Sequence, residues 1–168
     1  MRSKIVTADQ LVEIVKRAKD EGKNVVHCHG VFDLVHPGHI NYFEQAKKIG
    51  DIVYVGIVAD RFVKKGPGRP RFSEDVRLAW VAALECVDYV VLNEEEGPWS
   101  LIRTVRPNFY TKGESDRPKL DDPNSGLSQD KRVLEEVGAK LRFTPEVEIH
   151  STDLFQAMGV EEARVKKD

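Results

Sequence analysis

The chain has 168 residues, 40% hydrophobic and 32% charged, with a formal net charge of −2 at pH 7. That length and apolar content suit one domain with one sizeable core, and the near-neutral balance excludes bulk electrostatic attraction to nucleic acid or a membrane surface. No apolar run approaches membrane-spanning length, and Met1 to Thr7 lacks the apolar stretch of a secretory leader. The two cysteines, Cys28 and Cys86, lie beside apolar segments and read as buried free thiols, so the expected compartment is the cytoplasm.

The first predicted helix runs from Thr7 to Gly22. Thr7 can cap it with Gln10 three residues on, and Leu11, Ile14, Val15 and Ala18 form its apolar face. A short strand, Asn24 to His27, leads into His-Gly-Val-Phe-Asp-Leu-Val-His-Pro-Gly-His, His29 to His39. Ile40, Phe43, Ala46 and Ile49 then repeat three apart, a helical stripe that Gly50 stops. Pro37 suits a first helical position. A strand, a glycine turn and a helix N-terminus in that order make a seat for phosphate, because free N–H groups and the helix dipole favour an anion. His36 and His39 can face the same side of that terminus. For an isolated pair at this spacing, a solvated or capping role is the plain alternative; a zinc site lacks a third ligand at a recognisable spacing.

Asp51 to Val58 is a nearly continuous apolar run, as in a strand buried on both faces. The stretch from Ala59 to Arg71 is basic and rich in Gly and Pro. It reads either as a solvated loop or, beyond a strand's carboxyl end, as one that folds over a polyphosphate with Lys64, Lys65, Arg69 and Arg71. Ser73 opens a helix continued by Leu78, Val81, Ala82 and Cys86. Val87 to Leu92 is a strand, Pro98 to Val105 a short helix, and Pro107 to Thr111 a strand ending in Lys112-Gly113. Arg117 to Ser128 is a loop, Gln129 to Val137 a helix stopped by Gly138, and Lys140 to Thr144 a strand. A last helix begins near Ser151 or Thr152, a second anion seat, and the tail from Glu161 to Asp168 is charged and frayed. These elements predict an α/β class: a Rossmann-like, doubly wound, mainly parallel sheet with helices on both faces, as one domain over residues 1–168.

Gly-x-Phe-Asp-x-x-His-x-Gly-His, Gly30 to His39, resembles the signature of the cytidylyltransferase-like nucleotidyltransferases. The resemblance implies nucleotide contacts from Gly30, Val31, Phe32, His36, Gly38, His39, Lys65, Arg77, Ser151 and Thr152. It implies catalytic roles for His36, His39, Lys64 and Lys112, and acceptor contacts from Asp33, Lys112 and Asp116. Arg77 read from the sequence alone is equally a surface helix residue. No protein side chain is expected to bind metal; Mg²⁺ is expected on the nucleotide phosphates. The partners implied are an NTP, with ATP favoured and CTP the alternative, and a phosphorylated small-molecule acceptor, in a homodimer.

Within that superfamily the chain is most similar to the heptose-1-phosphate adenylyltransferases, through Lys23 to Val26, Ala83 to Val91, Glu94 to Pro98 and Lys112-Gly113 near Asp116. Glu85 and Glu146 stand where cytidylyltransferases of this kind commonly carry arginine. The expected reaction is transfer of NMP from an NTP to a sugar 1-phosphate with release of pyrophosphate. Alternatives are a CTP-dependent enzyme acting on a polyol or amino-alcohol phosphate, and a non-catalytic nucleotide-binding module. Ile149 to Asp153 departs from the Gly-x-Ser-Thr-Thr pattern of the adenylyltransferases, and Arg117 to Gln129 is longer than expected.

Overall fold

The structure, a computed structural model, describes residues 4–145. The expected last helix with Ser151 and Thr152, and the tail, lie outside the described residues. In chain order, α1 (Ala8–Asp20), β1 (Val25–Gly30), α2 (Pro37–Ile49), β2 (Ile52–Val58), α3 (Glu74–Ala82), β3 (Tyr89–Asn93), α4 (Trp99–Val105), β4 (Phe109–Gly113), α5 (Gly126–Val137) and β5 (Lys140–Thr144) alternate. The strands form one five-stranded sheet in the order β3-β2-β1-β4-β5, with every pairing parallel.

The local chemistry explains most boundaries. Thr7 caps α1 in a reciprocal box with Gln10. Ser125 caps α5 through the Ser128 N–H, and Gly138 closes it in the left-handed conformation, φ 76°. Gly50 ends α2 differently. Its backbone is extended, so no special φ is needed; a Cβ there would meet Val26 Cγ2 at 2.7 Å and the Asn24 carbonyl oxygen at 2.9 Å. Close approach of two elements selects this glycine.

Several expectations need correction. β1 runs on through Cys28, His29 and Gly30, because β2 pairs with it along its whole length. α3 stops at Ala82, short of Cys86. Its Ser73 side chain makes no capping bond; Asp60 Oδ2 accepts from the Glu74 N–H while Glu74 Oε2 accepts from the Asp60 N–H. The expected loop from Arg117 to Ser128 is a 3-10 helix, Glu114–Asp121, followed by an early start of α5 at Gly126.

Helices cover both faces of the sheet. Phe43 and Ala46 of α2, with Leu78, Val81 and Ala82 of α3, pack on Val26, Cys28, Val53 and Val55. On the other face Leu11 and Val15 of α1 and Leu101 of α4 pack on Val25, Tyr54 and Val91, while Val133 and Leu134 of α5 join Ile102 and Tyr110. β1 thus carries apolar residues on both sides, as a central parallel strand requires.

His27 breaks that rule. It is fully buried, its ring stacked on Tyr54 at 4.4 Å, and among the described residues neither ring nitrogen has a hydrogen-bond partner. Burial above all, then the charges of His29 and Lys112, hold its pKa well below the ordinary value. His29 is pushed to about 3 by burial and then Lys112, and His39 to about 3 by burial and then His36. All three are neutral in the fold, whereas the unfolded chain takes up protons below about pH 6.5. The unfolded state then binds more protons, so stability is full above that pH and declines as pH falls towards 3. Urea midpoints should therefore drop steeply between pH 7 and 4.5. His27→Leu, close in volume and free of unpartnered nitrogens, should leave the pH 7 midpoint equal or higher. It should also flatten the acid loss, by up to about 1.4 kcal/mol per pH unit for the one group removed. Identical acid slopes in the two proteins would exclude His27 as a source.

Candidate active site

The sheet order reverses direction at β1: its next strand, β2, lies on one side and β4 on the other. In open α/β sheets such a reversal leaves a crevice at the carboxyl ends of the strands, where ligands bind. β1 ends there in His29-Gly30 and β4 in Lys112-Gly113. α2 begins at the same end, with His36 at its N-cap and Pro37 in its first turn. The His36 side chain makes no capping hydrogen bond. The His36 and His39 rings stack instead, centroids 3.7 Å apart at 25°. Such close stacking suits neutral rings, and burial and the proximity of His36 keep the His39 imidazole neutral, with a pKa of about 3.

The turn between β1 and α2 is built around Phe32. Its φ of 50° lies in the left-handed region that bulky residues avoid. This conformation accompanies a ring placed over Gly30, where a Cβ would come within 3.0 Å of Phe32 Cζ. The same ring meets His39 edge-on at 5.1 Å and Phe43 at 5.0 Å. Gly30 and Phe32 therefore shape the seat of the histidines through packing.

Two of the expected residues, Asp33 and Arg77, are engaged by the protein itself. Asp33 is 2% exposed and both its oxygens are taken: Arg69 Nη1 donates at 2.9 Å, the Arg71 N–H at 2.8 Å and the Phe72 N–H at 3.1 Å. It pins the basic loop to the motif turn. Arg77 is fully buried, neither on the surface nor open to a nucleotide. Its guanidinium donates to the carbonyls of Phe72 (3.0 Å), Val31 (2.5 Å) and Val58 (2.8 Å) and to Asp60 Oδ1 (2.6 Å). One side chain thus joins the motif turn, the end of β2 and both ends of the basic loop.

The remaining expected residues divide between two sides of the crevice. Lys64 and Lys65 lie exposed on the basic loop, and Lys64 pairs with Glu96 of the β3–α4 connection. Arg61 and Glu94 pair in parallel at 3.1 Å. Lys112 projects towards α5, its ammonium 5.4 Å from the Tyr110 ring centroid. It lines a cavity of about 370 Å³ together with His29, Trp99, Asp116, Lys119 and Asp130. Asp116 is half-buried there and pairs with Lys119. Val31 and Gly38 are half-buried at the turn and the helix start. Another cavity, of about 530 Å³, lies between α1 and α4 against β3 and contains none of the expected site residues.

Sequence reasoning missed His29, Asn93, Trp99 and Asp130. Asn93 closes β3, and its Nδ2 reaches His29 Nε2 (3.1 Å) and the carbonyls of Glu95 (2.9 Å) and Gly97 (2.8 Å), fixing the loop beside the cavity. Asp130 is 4% exposed and accepts from Trp99 Nε1 at 2.9 Å and Tyr110 Oη at 3.1 Å. Burial raises its pKa against the pull of Lys112. A signal existed: Asp130 lies on the apolar stripe of α5, between Leu127 and Val133.

Comparison with known proteins finds relatives of this chain. The family model described as cytidylyltransferase-like matches residues 27–157. The bifunctional protein HldE of Trichlorobacter lovleyi is 37% identical over 152 residues, 89% of this chain and 30% of that protein. HldE of Vibrio cholerae (strain M66-2) is 42% identical over 117 residues, 68% of this chain and 25% of that protein. The chain thus spans about a third or less of these relatives. A crystal structure of the lipopolysaccharide core biosynthesis protein from Thermoplasma volcanium GSS1 superposes with a TM-score of 0.59. It is 26% identical and covers 77% of this chain and 100% of its own.

The buried role of Arg77 makes a distinct prediction. Arg77→Met should lower unfolding free energy by about 3–5 kcal/mol, because Asp60 and buried carbonyls lose their donor. Chemical denaturation measures it. A residue that only contacts nucleotide would leave the midpoint unchanged and raise the NTP KM alone.

Proposed function

Because the chain belongs to the cytidylyltransferase-like family of nucleotidyltransferases, we propose that it transfers AMP from ATP to a sugar 1-phosphate such as a heptose 1-phosphate, releasing pyrophosphate. The observation that carries this reading is the stacked imidazole pair at the start of α2, beside the crevice between β1 and β4. Residues of the same crevice, Lys112 and the basic loop with Lys64 and Lys65, supply positive charge from opposite sides.

In this reading an acceptor phosphate oxygen attacks the α-phosphorus of the nucleotide. The bond from that phosphorus to the bridging oxygen breaks, and pyrophosphate leaves with the electron pair. The acceptor phosphate is anionic at neutral pH, so no protein nucleophile or strong base is required. The barrier comes from bringing two anions together and from charge growing on the leaving group. Orientation of the two can contribute about 7–11 kcal/mol in favourable cases, and preorganised donors aimed at the growing charge add to it. His36 and His39 donate to the α- and β-phosphate oxygens, the His39 ring being held neutral by its burial. Lys64 leaves Glu96 to close on the triphosphate, with Lys65 beside it. Lys112 meets the acceptor phosphate. Ser151 and Thr152, outside the described residues, hold the β/γ end, and Arg77 acts by holding the motif turn in place.

Mg²⁺ belongs to the reading as a counter-ion carried by the triphosphate. Among the described residues no cluster of three His, Cys, Asp or Glu side chains is arranged to hold a metal. A cytoplasmic homodimer remains part of the proposal. Among the described residues, no helix is long and apolar enough to cross a membrane.

Pyrophosphate release, screened with each NTP and a panel of sugar phosphates, tests the reaction; preference for CTP with a polyol or amino-alcohol phosphate would select the alternative. His36→Ala and His39→Ala should each lower kcat by about 10²-fold or more, the loss typical of one positioned donor, with little change in melting temperature. An unaltered rate in either would defeat the assignment. Replacing Lys64 and Lys65 together by Ala should raise the ATP KM several-fold; an unmoved KM would identify the loop as merely solvated.

A further inference from the structure

The cavity beside Lys112 has an unusual lining for a phosphate-bearing ligand. Glu96, Asp116 and Asp130 face it alongside Lys112 and Lys119, so a bound phosphate adds negative charge where carboxylates already match or exceed the ammonium groups. Such a cavity is stable around an acceptor only if the rest of that acceptor donates hydrogen bonds to the carboxylates. Asp130 is placed for this. Its helix position is fixed by the packing of Leu127, Val133 and Leu134. Its two oxygens are oriented by one donor each, Trp99 Nε1 and Tyr110 Oη. A carboxylate has about four lone-pair sites, which leaves acceptor capacity on the cavity side.

We propose that Asp130 is the specificity-determining residue of this cavity, accepting hydrogen bonds from the hydroxyl groups of a polyhydroxylated sugar phosphate whose phosphate lies on Lys112. The inference rests on the nucleotidyl-transfer reading above and names how the acceptor is chosen. The half-buried Trp99 ring offers an apolar wall to the carbon skeleton of the sugar. An amino-alcohol phosphate fits less well. Its cationic head would share the cavity with two lysine ammonium groups, and among the described residues Trp99 is the lone Trp, Tyr or Phe in the lining, whereas cation recognition favours several such faces. A buried Asp on the inner face of α5 is otherwise a destabilising choice.

The test compares Asp130→Asn, nearly identical in shape, with the unaltered protein. The acceptors are heptose 1-phosphate, glycerol 3-phosphate and phosphocholine, with ATP, and pyrophosphate release is the readout. The unaltered protein should prefer heptose 1-phosphate. The variant should raise the KM for heptose 1-phosphate about tenfold or more, as expected for loss of one charge-assisted hydrogen bond. The ATP KM should stay within about twofold, and the effect should shrink for glycerol 3-phosphate, which has fewer hydroxyls. An equal loss for every acceptor together with a raised ATP KM and a lower denaturation midpoint would assign Asp130 a structural role only and overturn the proposal. Preference for phosphocholine would overturn it too. If Asp130→Asn fails to fold, Asp116→Asn at the half-buried rim should raise the heptose 1-phosphate KM alone, and an unchanged KM would count against the cavity. Absence of pyrophosphate with every acceptor would defeat the transfer reaction. Calorimetry with heptose 1-phosphate would then decide the cavity separately, equal affinity for the two proteins, or none for either, overturning the present inference.

Discussion

The buried guanidinium of Arg77 is the constraint on which the catalytic end depends. A charge removed from water is tolerated only when its donors are satisfied, and here the motif turn, the end of β2, Asp60 and the backbone at Phe72 supply the acceptors. Arginine suits this place because its planar fork addresses several acceptors at once. A lysine point charge would reach fewer. Asp33 makes the complementary link, a buried carboxylate satisfied by Arg69 and two loop amides. Together these ions fasten a Gly- and Pro-rich loop, which has little propensity of its own, to the strand ends that form the crevice.

That fastening accompanies a buried, neutral His39. Packed edge-on against Phe32 and stacked on His36, the His39 ring occupies a site that disfavours charge. Permanent positive charge stands further out, on lysines already balanced by acids: Lys64 with Glu96, Lys119 with Asp116. The arrangement separates positioning from charge. The stacked imidazoles sit at the helix start, while Lys64 and Lys119 stand apart from them, each paired with a carboxylate.

How legible this was varied with the range of the interactions. The Thr7 box, the Gly138 stop and the apolar stripes of α1 and α2 depend on residues a few positions apart, and they stand where the pattern placed them. The seat of His36 and His39 was readable for the same reason, since strand, turn and helix start are contiguous. The burial of Arg77 was not legible because its partners lie up to 46 positions away, and nothing local separates a buried arginine from a surface one. His29 and Lys112, far apart in the chain, share a cavity wall only because β1 and β4 are neighbours in the sheet.

Periodicity, capping residues and one compact motif were enough to determine an α/β alternation, a parallel sheet and a helix terminus that begins at the two histidines, since each follows from short-range sterics and the hydrophobic effect. Which charges are buried, which of them hold the scaffold, and where the Lys112–Asp130 cavity opens were decided by the strand order. Desolvation and ion pairing act through space, and only the folded sheet sets those distances.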